Sequence, residues 1–79
     1  MDQDTLERAL LCAHDAGDTE KLIDLYTLAG DQAEQHGDVD AACFFLTHAF
    51  VFALESGATE AVQLNTRLTD YGRAHPRQF

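Results

Sequence analysis

The chain has no tryptophan, one proline, two cysteines and only five Lys or Arg side chains in 79 residues. No Lys or Arg falls between residues 22 and 66, while Asp24, Asp31, Glu34, Asp38, Asp40, Glu55 and Glu60 do. Each shortage excludes something. Five bases against 14 acids, a formal net charge of −9, argue against nucleic acid, whose phosphates require basic contacts. Cys12 and Cys43 have no metal-type spacing, so they read as buried free thiols of a cytoplasmic protein with no metal and no cofactor. The most apolar stretch, Ala41 to Leu54, is 14 residues and is interrupted by Thr47 and His48. That is shorter than the ~20 residues a membrane crossing needs, and the sequence predicts no membrane contact. The opening Met1-Asp2-Gln3-Asp4 lacks the basic and apolar regions of a secretory signal. A single domain over 1–79 is the most this length allows.

What the chain does have is apolar content, 46%, enough for a small core, and a rhythm of glycines. Gly17-Asp18, Gly37-Asp38 and Gly57-Ala58 recur at 20-residue intervals. A glycine in the left-handed conformation ends a helix, and the Asp after it caps the next. Asp4 with Glu7 reads as a capping box at the start, Thr59 as the cap of the last helix, and Pro76 as its stop, leaving a short tail over 75–79. The spacing predicts four helices, about 5–16, 19–36, 39–56 and 59–74, and no strand. Leu6, Ala9, Leu10, Ala13 and Ala16 share one face of the first, and Leu22, Leu25, Tyr26, Ala29 and Ala33 one face of the second. The fourth has a narrower stripe of Ala61, Leu64, Leu68 and Tyr71, and the third is apolar nearly all round. Connections this short make neighbours antiparallel.

Gly30 inside the second helix costs about 1 kcal/mol relative to Ala, and such a glycine usually marks the close approach of another helix. Tyr26, Ala29-Gly30, Ala33, Gly37-Asp38, Ala42, Leu46 and Ala49 together resemble a tetratricopeptide repeat over residues 26–54. Ala33 stands where that family often has Tyr, and Leu54 where it often has Pro. The 40-residue hairpin is longer than the usual 34. The resemblance implies an all-α fold of four antiparallel helices stacked as tetratricopeptide-like helical hairpins. An ordinary four-helix bundle would also place small residues at crossings. The family binds peptides on a concave face lined by the first helix of each hairpin. Carried onto this chain, those positions are Asp24, Thr27, Asp31, Glu34 and Gln35. Acids there imply a basic protein or peptide partner, and a non-catalytic interaction or adaptor role.

The alternative is a helical-bundle signalling or enzyme domain using His48. His14 to Asp18 and His36 to Asp40 straddle Gly-Asp helix breaks, which removes the i,i+4 geometry that would join them. No nucleophile elbow or phosphate loop is present. On the third helix, Ala42, Leu46, Ala49 and Ala53 form the family-like packing face, Phe45, His48 and Phe52 a second stripe, and Phe44 and Val51 a third. A helix apolar on every side must be buried on every side. The second stripe, Phe45, His48 and Phe52, is therefore expected to be the interface of a homodimer.

Overall fold

The computed structural model describes residues 2–73, and these form four helices: α1 (Gln3–Ala16), α2 (Thr19–Gln35), α3 (Val39–Ser56) and α4 (Glu60–Asp70). No strand occurs among the described residues. Asp18 and Asp38 cap α2 and α3 as their position after glycine predicts, accepting from the backbone N–H of Lys21 at 3.2 Å and of Ala41 at 3.1 Å.

All four helices end in one way. A glycine takes positive φ, at Gly17, Gly37, Gly57 and Gly72. The residue after it sends its N–H back five residues: Asp18 to Ala13, Asp38 to Ala33, Ala58 to Ala53 and Arg73 to Leu68. This closure satisfies carbonyls that the helix end would otherwise leave orphaned.

Four boundaries differ from those expected, the end of α2 only by one residue, at Gln35 rather than 36. α1 starts earlier because Asp2, not Asp4, is its N-cap, accepting from the Thr5 N–H at 2.8 Å. Thr59 precedes α4 but makes no side-chain cap; its hydroxyl donates to Glu60 Oε1 instead. α4 ends at Asp70 because Gly72, φ 74°, turns the chain before Pro76 is reached. The tail over 75–79, with Pro76, lies outside the described residues.

The helices pack in chain order. α1 approaches α2, α2 approaches α3, and α3 approaches α4, with no close backbone approach between α1 and α4 among the described residues. The result is flat, 33 × 29 × 13 Å. Two apolar clusters hold it together. One joins Leu6 and Ala13 of α1 to Leu22, Leu25 and Ala29 of α2. The other joins Ile23 to α3 and to Ala61, Leu64 and Leu68 of α4. Tyr26 and Phe52 pack against both clusters.

On α3 the small-residue face Ala42, Leu46, Ala49 and Ala53 is completely buried, each residue 0% exposed. Gly30 is what lets Leu46 in. A Cβ built on Gly30 would sit 2.8 Å from the Leu46 side chain and 3.4 Å from the Ala42 carbonyl oxygen. The close approach expected at Gly30 is therefore present. By length and composition alone, Val39–Ser56 is apolar enough to cross a membrane. In this fold its buried residues are the centre of the core.

Candidate functional site

Asp24, Thr27, Asp31 and Glu34 fall three or four residues apart, so α2 carries them along one face. Thr27 is half-buried and its hydroxyl donates to the Ile23 carbonyl at 2.7 Å, a bond inside its own helix. Asp24 and Gln35 are exposed. Asp31 and Glu34 face α4. The Arg67 guanidinium lies 2.7 Å from Asp31 Oδ1 and 3.4 Å from both Glu34 oxygens. The Tyr71 hydroxyl donates a short hydrogen bond to Glu34 Oε2.

This cluster has its own electrostatics. The Tyr71 hydrogen bond holds the Glu34 carboxyl below its ordinary range, against the opposing effect of burial and with the help of Arg67. The same bond raises the Tyr71 phenol above its ordinary range, because ionising it would place two anions together. Burial pulls the Arg67 guanidinium down, but Asp31 and Glu34 outweigh it and the group is raised overall. The carboxylates stay largely in water, with Asp31 46% and Glu34 39% exposed at the side chain. Such exposed pairs contribute little to stability and are screened by salt.

Arg67 and Tyr71 were absent from the sequence-derived site. The available signal was position. Arg67 is the first base after the base-free stretch, and Tyr71 follows it by one helical turn. A second tie links Arg73, just past α4, to Asp40 at the start of α3.

Gln35 points elsewhere. It lines a groove of about 610 Å³ between the start of α1, the end of α2 and the start of α3, with Asp2, Leu6, Ala29, His36 and Phe45.

The aromatic residues gather on the opposite flank of α3. His14 Nε2 and the Tyr26 hydroxyl share a hydrogen bond of 2.9 Å. Tyr26 stacks with His48 at 5.1 Å and with Phe52 at 5.9 Å between ring centres. Phe45 and Phe52, expected on an open stripe, are half-buried against the α1–α2 cluster. His48 is half-buried and its Nδ1 hydrogen-bonds the Phe44 carbonyl at 2.9 Å. The large apolar side chains that α3 leaves most exposed are Phe44, at 58%, and Val51, at 44%. Among the described residues, no three His, Cys, Asp or Glu side chains are grouped to hold a metal ion; Cys43 is a buried free thiol as expected, but Cys12 is exposed.

Comparison of the chain with protein-family models, with curated proteins and with solved structures gives no match.

Proposed function

We propose that the chain is a small, non-catalytic interaction module of the cytoplasm that holds a basic peptide or protein segment on the acidic face of α2. In this reading its helices form antiparallel hairpins stacked in the tetratricopeptide-like manner. Packing in chain order supports the stacking, as does the Arg73–Asp40 tie between the end of one helix and the start of its neighbour. The Gly30–Leu46 approach falls at the positions that carry the family resemblance.

One observation carries the binding reading: a guanidinium already sits on that face. Arg67 reaches Asp31 and Glu34 as an arginine of a bound peptide would, and a partner's basic side chain would compete with it for the same oxygens. Asp24, exposed and two turns earlier on the same face, extends the acidic track beyond Arg67.

The test is association of a labelled Arg/Lys-rich peptide with the Asp24→Asn/Asp31→Asn/Glu34→Gln triple variant. The wild type binds more weakly as salt is raised, since exposed charges are screened over about 8 Å at physiological strength. The variant associates more slowly while remaining helical. An unchanged on-rate contradicts the reading.

A further inference from the structure

We infer that the outward face of α3 is a self-complementary docking surface for a second copy of this chain, built around Phe44, His48, Val51 and Glu55. It is separate from the acidic face of α2. α3 is covered on three sides: α2 and α4 pack on it directly, and α1 reaches it through the His14–Phe52 contact. The fourth side runs along Phe44, Val51 and Glu55, which are exposed, with the half-buried His48, stacked on Tyr26, at its edge; spacings of four, three and four residues keep the four on one stripe. Phe44 is 58% and Val51 44% exposed.

This stripe has a hole and a knob. The hole, about 390 Å³, is lined by Asp40, Cys43, Phe44, Thr47, His48 and Arg73. The Phe44 and His48 rings lie 4.5 Å apart and form one wall of it. The knob is Val51, one turn beyond the hole. Two antiparallel α3 helices related by a two-fold axis between Thr47 and His48 set Phe44 opposite Val51 of the second copy. Each Val51 then meets the other chain's hole, and the contact occurs twice because a two-fold interface pairs the same patch with itself.

Charge follows the same symmetry. Arg73 lies at the hole end of the stripe, 46% exposed beside Asp40. Glu55 lies exposed at the other end. The register that puts Phe44 on Val51 sets Glu55 of the second copy against the Asp40–Arg73 ion pair, where the Arg73 guanidinium would bridge the two carboxylates, at both ends. A parallel or shifted arrangement loses this match. The charge pattern therefore favours a second copy over a lipid surface, for which the apolar character of α3 would be the only basis.

Sedimentation of the full chain across a concentration series tests the proposal. It predicts a reversible species of twice the 8.7 kDa chain mass. Val51→Glu and Phe44→Glu, each at an exposed position outside the core, should weaken the dimer more than about tenfold while leaving the helical content unchanged. Arg73→Glu and Glu55→Arg should each weaken it about two- to fivefold, and the double swap should restore it, since opposite charges then meet again in the same register. The swap keeps the proposal falsifiable even if the Glu substitutions disturb folding. A chain that stays monomeric at hundreds of micromolar overturns the proposal. So does a dimer indifferent to all four substitutions, or a monomer that binds phosphatidylcholine vesicles through Phe44 and Val51.

Discussion

Gly30 and Leu46 are in contact because Gly30 has no side chain: a Cβ there would lie 2.8 Å from Leu46 Cγ, and Leu46 is 0% exposed. Leu46 is enclosed and has no open side to retreat to. Gly30→Leu should therefore destabilise by about 1–3 kcal/mol through overpacking, although on helix propensity alone it gains most of about 1 kcal/mol. Thermal unfolding decides the sign. A rise in melting temperature would mean that α2 and α3 do not cross at this point.

Tyr26 packs against both apolar clusters, and its hydroxyl reaches His14 of α1. Tyr26→Ala should cost about 2–4 kcal/mol, near the lower part of the range for large aromatic truncations because the ring is half-buried. Tyr26→Phe removes only the His14 hydrogen bond, exposed to water, and should cost about 1 kcal/mol or less. Denaturant titration of the two variants separates ring packing from hydrogen bonding. Equal losses would contradict the bridging role.

The tie between α2 and α4 depends on a charged Glu34. Its carboxyl is held below the ordinary range in the folded chain, so its contribution is present above the unfolded pKa of about 4.3 and is lost as pH falls through the lower folded value. Acid unfolding followed by circular dichroism should show wild type losing more stability than Glu34→Gln over that acidic window. Parallel pH curves for the two proteins would show that the Tyr71 and Arg67 contacts contribute nothing to the fold.

Much of this architecture is legible in the sequence, and the exceptions have physical causes. The turns follow from Gly17, Gly37 and Gly57, and the core face of α3 from the spacing of Ala42, Leu46, Ala49 and Ala53. Gly72 is the same device a fourth time, but its 15-residue interval breaks the 20-residue rhythm of the other three. Ile23, 1% exposed, lies off the single stripe read for α2 because that helix packs on two neighbours at once. The candidate binding positions of α2 come from the family resemblance, and four of them, 24, 27, 31 and 34, follow helical spacing while Gln35 does not. The occupation of that face by Arg67 and Tyr71 was not legible, because residues 33 and 37 positions away meet only once α4 has folded back beside α2. The sides of α3 were equally hidden: periodicity shows a helix apolar all round, and only the placement of α1 decides that Phe45 and Phe52 are half-covered while Phe44 is open.

The most direct measurement of the binding account is the affinity of a labelled Arg/Lys-rich peptide for wild type, Arg67→Ala and Arg67→Ala/Asp31→Asn/Glu34→Gln, read by fluorescence anisotropy at low and physiological salt. Arg67 occupies the oxygens that the peptide needs, so removing it should tighten binding, by about two- to tenfold for exposed charge pairs. Removing Asp31 and Glu34 as well should abolish that gain. Equal affinity for all three proteins would contradict the account.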